Sequence, residues 1–332
     1  MDSSRKRRTS PTIADVAELA GVSRAIASRA LSSENRPVSA DKRARVLEAA
    51  EKLGFKPNLL ARSLTTKTVN LVAVIVNHIH DFSDLDLFDL LIGEIQSIGK
   101  QVIFLRVGSV ERVEEFLRNG VAYHVDAVLV FSDFADAAKV RKMFRNDDVL
   151  MLNGMHDGSS PSVVPDEAIG IAEAVADAAG KGVATAALVT GRVSSPVEQS
   201  RIAAYKAEMR RHGIKLVAEL RGDYSYASGR QVAQSGEWPG VDAVFCTSDA
   251  MAMGVMDVHR DAFPQNRPGR FRLYGFDNLS LTDFEAYPIS SIGYDKKAYV
   301  GEILRFLTRP GDFANGKAEV TVPTFFVPRA TS

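Results

Sequence analysis

The fold of the first part of this chain is decided by residues 12–31, which read TIADVAELAGVSRAIASRAL. An apolar stripe at the i, i+3, i+4 and i+7 spacing of one helical face is formed by Ile13, Val16, Ala17 and Ala20. Thr12 precedes the stripe as an N-cap, and Gly21 follows it where a helix ends in a left-handed residue. The stretch therefore predicts a short helix that ends at a glycine turn.

A second short helix is predicted directly after this turn, with Ser23 as its N-cap. Its inner, apolar face consists of Val22, Ile26, Ala27, Ala30 and Leu31. Its other face shows Arg24, Ala25, Ser28 and Arg29. Two short helices joined at a glycine are typical of a helix-turn-helix, whose second helix enters the DNA major groove. The alternative is an ordinary helical hairpin with a solvated basic face.

The zero net charge of the 332-residue chain hides a split between its two parts. Residues 1–67 hold 14 Lys and Arg against 7 Asp and Glu, a net of +7. The whole chain has 41 Lys and Arg residues and 41 Asp and Glu residues. Residues 68–332 therefore hold 27 basic and 34 acidic residues, a net of −7. A basic head on an acidic body predicts a polyanionic partner at the head alone.

Composition places the chain among globular proteins, with 45% hydrophobic and 25% charged residues. No apolar run approaches the roughly 20 residues of a membrane helix, and no signal-peptide pattern precedes the first helix. The single cysteine, Cys246, excludes an internal disulfide and fits a reducing compartment. The expectation is a cytoplasmic protein with no membrane partner.

A third helix and a short fourth one are predicted before the body of the chain. Ser39 serves as the N-cap of the third helix, and Gly54 ends it. Residues 56–64, KPNLLARSL, allow one short helix from Asn58 to Leu64. A helix this short is not stable alone in water, so its leucines need a partner chain and DNA to cover them. The alternative is a plain linker packed on the next domain.

Residues 12–64 resemble the DNA-binding head of the LacI/GalR family of bacterial transcription repressors. The resemblance is carried by the patterns TIxDVAxxAGVSxxxxSRxL and RVLEAAxxLGFxPNxxARSL, which this chain reproduces almost throughout. One departure is Ile26-Ala27, where the family usually has Thr-Val. That threonine hydroxyl normally serves DNA contact in the family, and Ile26 has no hydroxyl.

The exposed face of the second helix and the resemblance together predict base and phosphate contacts. Arg24, Ser28 and Arg29 lie at i, i+4 and i+5 on that face, and arginine can bind guanine in a bidentate way. Ala25 offers only a methyl contact. The alternative for these residues is a solvated basic surface.

Further residues are predicted to contact the DNA backbone and hold the protein in position, or to bend the duplex. Thr12, Ser23 and Asn58 are expected to contact DNA phosphates, through the hydroxyls of Thr12 and Ser23, the side-chain amide of Asn58 and the helix N-termini that these residues cap. Leu64 matches the family's hinge leucine, an apolar wedge that unstacks a base step in the minor groove. Ala61 is small enough for two hinge helices to approach, and Arg62 is expected near phosphate.

From residue 69 onward the pattern changes to alternating buried strands and amphipathic helices, which indicates a parallel, doubly wound sheet. Strands are predicted at 71–76, 101–105, 127–131, 149–152, 186–190, 215–220, 243–246 and 271–276. Helices are predicted at 85–98, from 110, near 136–145, at 166–179, at 198–212, from 228, at 251–258 and at 296–307. The alternation restarts near residue 166, which predicts two lobes, and the last helix is expected to rejoin the first.

The predicted fold is an all-α helix-turn-helix head joined by a hinge helix to a two-lobed α/β body, which resembles periplasmic sugar-binding proteins. The predicted segments are a flexible basic arm at 1–11, the helix-turn-helix domain at 12–57, the hinge helix and linker at 58–68, and the ligand-binding and dimerisation domain at 69–328.

Ligand residues are expected at the carboxyl ends of strands, facing the cleft between the lobes. Arg201 lies where the family has its cleft arginine, although the RxxG motif ends here in Ala204. Tyr224 matches the aromatic residue of the family's GDxS turn, which covers a sugar face. Ser248 stands at a ligand position, and Asp277 in GFDN matches the cleft aspartate.

On the first lobe, Asp84 and Asp86 replace the aromatic segment that usually lines the cleft in the family. Asn153 ends a strand on the same lobe. Because carboxylates accept hydrogen bonds from hydroxyls, these residues predict a polyhydroxylated effector, a sugar, polyol or derivative. The alternatives are solvated carboxylates, as for Asp84, and helix caps, as for Asp249.

Other chemistries have little support in the sequence. His78-Ile79-His80-Asp81 follows a strand as an ordinary polar loop, so no metal is expected. Gly180-Lys181-Gly182 lacks the spacing of a phosphate loop, and Cys246 lies in an apolar strand. No Ser/His/Asp set has supporting context, so neither an enzyme nor a cofactor is predicted.

The sequence therefore predicts a homodimeric, ligand-responsive transcription factor, in the repressor role, that binds a pseudo-palindromic operator. A cytoplasmic sugar-binding protein or transport component without DNA function is the first alternative, and an enzyme on an α/β fold is the second. DNA binding by the purified protein separates the first from the other two. No heptad repeat follows Phe326, which favours a dimer over a coiled-coil tetramer.

Overall fold

The computed structural model describes residues 11–31, 37–55, 69–77, 82–119, 124–152, 158, 160–192, 194–235, 240–313 and 319–332. The chain divides into two compact units, Met1–Val69 and Asn70–Ser332. Each unit has its own hydrophobic core.

The first unit, the head, contains three helices: α1 (Ile13–Leu19), α2 (Arg24–Ala30) and α3 (Ala40–Leu53). They enclose a small core that consists mainly of alanine and valine, including the fully buried Val16, Ala27 and Val46. Gly21 and Gly54 have φ angles of 63° and 62°, which is the left-handed conformation that glycine adopts without strain. The predicted helix-turn-helix and its glycine turn are confirmed.

The caps of the head helices largely follow the sequence. Thr12 and Asp15 form a reciprocal capping box at α1, and the hydroxyl of Ser23 accepts a hydrogen bond from the amide of Ile26 at α2. Ser39 precedes α3, but its side chain makes no capping hydrogen bond. Ile26 is only partly buried, although the helical spacing placed it on the inner face.

The second unit, the body, begins with a lobe of strands and helices in alternation. Its elements are β1 (Leu71–Val76), α4 (Phe82–Ser97), β2 (Gln101–Arg106), α5 (Val110–Asn119), β3 (Ala127–Val130), α6 (Ala137–Phe144), β4 (Val149–Met151) and β5 (Ser162–Asp166). The five strands are parallel, with β1 between β2 and β3. Side chains from both faces of the sheet belong to separate buried clusters, as expected for a doubly wound sheet.

A second lobe repeats this alternation. Its elements are α7 (Glu167–Gly180), β6 (Thr185–Thr190), α8 (Pro196–Arg211), β7 (Lys215–Arg221), α9 (Tyr226–Gln234), β8 (Ala243–Cys246), α10 (Asp249–Val258), β9 (Arg272–Phe276) and β10 (Ser290–Tyr294). Short 3₁₀ helices lie at Arg260–Ala262, Pro264–Asn266 and Ser280–Asp283, and a further one lies at Pro310–Phe313. Cys246 is fully buried, as its apolar strand predicted.

Two elements close the chain: α11 (Lys296–Thr308) and β11 (Glu319–Val327). Helix α11 packs against the core of the first lobe, where Tyr299, Ile303 and Phe306 join Leu91 and Ile95. The expectation that this helix rejoins the first lobe is therefore confirmed.

Strand β11 joins the sheets of the two lobes. Residues 319–323 pair in parallel with β5, and residues 324–327 pair antiparallel with β10. Within the described residues the strands form one sheet in the order β2-β1-β3-β4-β5-β11-β10-β9-β8-β6-β7. Three strands, β5, β10 and β11, were not predicted from the sequence. Strands β5 and β11 are each interrupted by a proline, Pro165 and Pro323, that lowers strand propensity.

The hydroxyl of Thr324 connects β11 by hydrogen bonds to the start of α7, where the chain crosses between the lobes. Its hydroxyl donates to the carbonyl oxygen of Asp166 at 2.6 Å and accepts from the amide of Gly170 at 2.9 Å. A Cβ atom at Gly170 would lie 2.5 Å from a methyl group of Ile292 and 2.9 Å from the Thr324 hydroxyl. The absence of a side chain at Gly170 thus allows α7 to approach the crossover.

We expect Gly170→Ala to lower the free energy of unfolding by about 1–3 kcal/mol, because the added methyl group overpacks this contact. The matched control is Gly301→Ala in α11, where a Cβ would meet nothing within 4 Å. There the higher helix propensity of alanine should raise stability by up to about 1 kcal/mol. Urea unfolding followed by circular dichroism measures both, and equal effects at the two positions would contradict the crossover contact.

Candidate functional site

The outer face of α2 is the first candidate site. Arg24, Ala25, Ser28 and Arg29 are all exposed, whereas Ala27 and Ala30 on the opposite face are buried. The Nε of Arg29 donates to the carbonyl oxygen of Ala25 at 3.1 Å, which directs that side chain back along the helix. The helix therefore presents a continuous polar and basic surface to solvent.

The N-terminus of α1 is held by the capping box. The hydroxyl and the amide of Thr12 donate to one carboxylate oxygen of Asp15, at 2.8 and 2.7 Å. The backbone and side-chain hydrogen bonds from Thr12 lower the pKa of Asp15, and the charge of Arg24 acts in the same direction. Asp15 therefore stays ionised, and its charge lies near the side chain of Arg24.

Several predicted site residues lie outside the described part of the chain. These are the DNA-contact residues Asn58, Ala61, Arg62 and Leu64, the ligand residue Asn153, and the loop residues 78–81. The backbone of Asp84 belongs to α4, but its side chain is also outside the described set.

The second candidate site lies at the carboxyl ends of the strands in the second lobe. Asp277 directly follows β9, and Ser248 follows β8 by two residues. Arg201 reaches this edge from α8 and donates from Nη1 to the carbonyl oxygen of Thr247 at 2.7 Å. Ser248 in turn donates to the carbonyl oxygen of Tyr224 at 3.0 Å. The structure thus brings together four predicted ligand residues, Arg201, Tyr224, Ser248 and Asp277.

Arg201 lies at the centre of this cluster and is 8% exposed. Its Nε and Nη2 donate to the two carboxylate oxygens of Glu167, at 2.9 and 2.5 Å. The guanidinium carbon lies 3.7 Å from the ring centre of Phe276, which covers one face. Although burial acts in the opposite direction, the charges and hydrogen bonds of Glu167 raise the pKa of Arg201 well above its ordinary value. Arg201 is therefore a permanent, largely paired cation.

Glu198 is a second carboxylate of the cluster that sequence reasoning missed. It is completely buried, and its oxygens accept hydrogen bonds from the Gly191 amide at 2.6 Å, the Thr247 hydroxyl at 2.7 Å and the Tyr224 hydroxyl at 2.8 Å. Its nearer oxygen lies 3.8 Å from Nη1 of Arg201. The i, i+3 spacing of the two residues on α8 was the available signal.

Tyr224 has a backbone conformation that is rare for a bulky residue, with a φ angle of 75°. Its ring lies so close to Gly191 that a Cβ there would approach a ring carbon to 1.9 Å. The guanidinium carbon of Arg192 lies 4.9 Å from the ring centre. The ring is thus fixed by Gly191, Arg192 and the hydrogen bond of its hydroxyl to Glu198.

Asp277 also has a positive φ angle, 103°, which costs roughly 1–3 kcal/mol in a residue other than glycine. Burial raises the pKa of its carboxyl well above the ordinary value; the charge of Arg201 opposes this shift, and that of Asp249 adds to it. Its side chain accepts no hydrogen bond from the residues that the structure describes. A strained, partly exposed acceptor without a protein donor is typical of a site prepared for a ligand.

The neighbouring carboxyl of Asp249, by contrast, is fully satisfied. It accepts from the Ser291 hydroxyl at 2.7 Å and from the Leu279 amide at 2.9 Å. Burial raises its pKa to about 7. A Cβ at Gly275 would lie 2.0 Å from a carboxylate oxygen of Asp249, so this arrangement requires glycine there.

Ser248 acts as the N-cap of α10 and is 3% exposed. Its hydroxyl accepts from the Met251 amide at 3.2 Å while it donates to Tyr224. Ligand contact at Ser248 stays a prediction, and the structure adds a capping role that the sequence analysis did not assign to this residue.

Asp86 links the two lobes across the cleft. Its carboxylate, on α4 of the first lobe, accepts from the amide and the hydroxyl of Ser280 in the second, each at 2.9 Å. Nζ of Lys296 lies 3.4 Å from the same carboxylate. The hydrogen bonds from Ser280 and the charge of Lys296 lower the pKa of Asp86 against the opposing effect of burial. Ligand contact by Asp86 stays a prediction, whereas its contact between the lobes is present in this structure.

None of the helices described here is long and apolar enough to cross a membrane. The described residues contain no group of three or more His, Cys, Asp or Glu side chains arranged to hold a metal ion.

We expect Asp86→Ala to increase amide hydrogen exchange at residues 279–283, because the Ser280 amide loses its acceptor. The control is Asp89→Ala, an exposed residue on the same helix. Mass spectrometry of peptides that cover this segment gives the readout. Equal exchange in Asp86→Ala, Asp89→Ala and the unmodified chain would contradict a link between the lobes at Asp86.

Comparison with known proteins agrees with both parts of the fold. Residues 12–58 match bacterial regulatory proteins of the lacI family, and residues 175–332 match the periplasmic binding protein-like domain. The chain resembles the lac repressor in complex with ONPG, with a TM-score of 0.83 at 24% identity over 98% of this chain and 100% of that one. A complex of the regulator CelR with cellobiose gives a TM-score of 0.68 at 21% identity over 97% and 100%.

Curated relatives are similar over nearly their whole length. The HTH-type transcriptional regulator AscG of Escherichia coli (strain K12) is 30% identical over 325 residues, which is 92% of this chain and 94% of AscG. Catabolite control protein A of Priestia megaterium is 28% identical over 311 residues, 90% of this chain and 92% of that protein. With its helix-turn-helix head and two-lobed body, the chain belongs to the lacI family of bacterial regulatory proteins.

Proposed function

We propose that this protein is a cytoplasmic, homodimeric transcriptional repressor that binds a pseudo-palindromic operator and responds to a small polar effector in the cleft. The observation that carries the proposal is the outer face of α2. It exposes two arginines, a serine and an alanine methyl on a helix whose opposite face is buried. This is the surface that reads base edges in a helix-turn-helix protein.

The relatives support the DNA-binding part of this proposal. A lac repressor dimer has been solved with operator and the anti-inducer ONPF, and it resembles this chain with a TM-score of 0.85 at 23% identity. Curated relatives include transcriptional repressors named PurR. By analogy, residues 58–68 act here as the hinge, in which Asn58, Ala61, Arg62 and Leu64 contact DNA. A sugar-binding protein without DNA function does not account for the basic head.

The effector part rests on the cluster in the second lobe. Arg201 supplies donors, Asp277 supplies an acceptor without a partner, and Tyr224 supplies a ring, which together suit a polyhydroxylated molecule. Asn153, Ser248 and Asp86 are the further contacts proposed. Binding acts on the operator complex only if the effector has different affinities for the two arrangements of the lobes. The relatives are regulators rather than enzymes, and we propose no catalytic activity.

For the DNA interface, we expect Arg24→Ala and Arg29→Ala each to weaken binding to operator DNA by about 1–3 kcal/mol and to relax one base position. The operator is obtained by in-vitro selection from random duplexes with the unmodified protein. Lys52→Ala is the control, since it removes one positive charge from the head at an exposed ion pair with Glu48. Fluorescence anisotropy gives the affinities. An effect of Lys52→Ala as large as that of the arginine variants would show that the net charge of the head, rather than specific contacts of Arg24 and Arg29, determines binding.

For the cleft, we expect Asp277→Asn to stabilise the free protein by about 1–3 kcal/mol at pH 7, because it removes a carboxyl group whose ionised form has no hydrogen-bond donor from the described residues and faces the carboxyl of Asp249. A raised pKa in the folded state means that ionisation opposes folding above the unfolded pKa of about 3.9. The gain should therefore vanish at more acid pH, where both states are protonated.

The control for this variant is Asp89→Asn, a neutralisation at an exposed site of the body. Urea unfolding across pH 3.5–8 measures both variants, and operator binding should be unchanged in each. A loss of stability in Asp277→Asn at neutral pH would mark the carboxylate as a structural group rather than one held for a ligand.

A further inference from the structure

The guanidinium of Arg201 already holds an anion, the carboxylate of Glu167. Arginine offers five N–H donors, and here Nε and Nη2 form the parallel pair with Glu167 that a ligand carboxylate or phosphate would need. A third donor, on Nη1, is bonded to the carbonyl oxygen of Thr247. Phe276 covers one face of the group. The bidentate edge of Arg201 is therefore filled by the protein itself.

The charge around Arg201 is also more than balanced. The buried carboxylate of Glu198 lies 3.8 Å from Nη1, so one cation faces two carboxylates before Asp277 is counted. An incoming anion would meet like charges in a poorly solvated place, which is strongly unfavourable.

The other cations around the cleft are engaged as well. Lys296 lies against Asp86, and Arg329 forms an ion pair with Asp283 at 2.6 Å. Arg192 stacks on Tyr224 and donates to the carbonyl oxygen of Asp223 at 3.2 Å. In the described part of the cleft, each of these cations thus has an acceptor from the protein.

We propose that Glu167 excludes anionic effectors, because its carboxylate occupies the place on Arg201 that an effector's phosphate or carboxylate would take. The effector class is therefore a hydroxylated molecule without an anionic group, whose hydroxyl or ammonium donates to Asp277. This inference rests on the proposed effector cleft and narrows its ligand. According to this inference, the site accepts free sugars and polyols and rejects their phosphates.

The test uses inorganic phosphate as the probe and the full chain as the protein. Thermal unfolding is followed from 0 to 20 mM phosphate, with chloride replaced at constant ionic strength. The variants are Glu167→Ala, Glu167→Gln, the double variant Glu167→Ala/Arg201→Met, and Glu208→Ala. Glu208 is the matched control, a glutamate on α8 whose ion pair with Arg211 is separate from Arg201.

We expect phosphate to leave the melting temperature of the unmodified protein and of Glu208→Ala at the chloride value. Glu167→Ala should show a saturable rise, with phosphate bound at least about tenfold more tightly, since the bidentate edge of Arg201 is then open. The double variant should lose this response. Glu167→Gln keeps the side-chain volume and should show a smaller phosphate-dependent rise of the melting temperature. It replaces Glu167→Ala in the test if Glu167→Ala does not fold.

Saturable stabilisation of the unmodified protein by phosphate, absent from the double variant that lacks Arg201, would overturn the exclusion while leaving the cleft as the effector site. No phosphate response in Glu167→Ala or Glu167→Gln, with operator binding intact, would also overturn it. The proposal that the protein is a DNA-binding regulator fails by a different result, namely if the unmodified protein does not bind operator DNA.

Discussion

The ion pair between Arg201 and Glu167 is the contact on which the second candidate site depends. Glu167 is the first residue of α7, directly after β5 ends at Asp166, so the pair lies where the chain first crosses from one lobe to the other. Removing one partner of a buried pair leaves an uncompensated charge, which costs about 3–5 kcal/mol. The pair therefore fixes both the orientation of Arg201 and the start of the second lobe.

Other contacts at the crossover support the same arrangement. The hydroxyl of Thr324 connects β11 to the last residue of β5 and to the first turn of α7. Asp86 reaches Ser280 from the opposite lobe. The hydrogen bonds between Asp86 and Ser280 are exposed, so a ligand that competes for them changes how the lobes are held together. Strain at Tyr224 and Asp277 is located at the same edge, as expected when a scaffold holds groups for binding rather than for stability.

Much of this architecture could be predicted from the sequence. Local signals, namely apolar spacing, caps and glycine turns, identified the head helices and eight of the eleven described body strands. Asp277 could be placed because carboxyl ends of parallel strands share one edge, whereas Arg201, on α8, was assigned by its match to the family's cleft arginine. Glu167 could not be paired with Arg201, since the partners are 34 residues apart and meet only through the crossover. Strand β11 was missed because Pro323 interrupts it at the point where its pairing changes from β5 to β10.

A double-mutant cycle on Glu167 and Arg201 tests the central claim most directly. Glu167→Gln, Arg201→Met and the double variant are compared with the unmodified chain by urea unfolding at pH 7. The account predicts that Arg201→Met loses about 3–5 kcal/mol and that the double variant loses clearly less than the sum of the two single losses, since the charge of Glu167 is then no longer left without its partner. The loss of Arg201 beside Glu198 is common to Arg201→Met and the double variant, so it does not enter the coupling energy. Losses that simply add, with a coupling energy near zero, would contradict the claim that this ion pair organises the site.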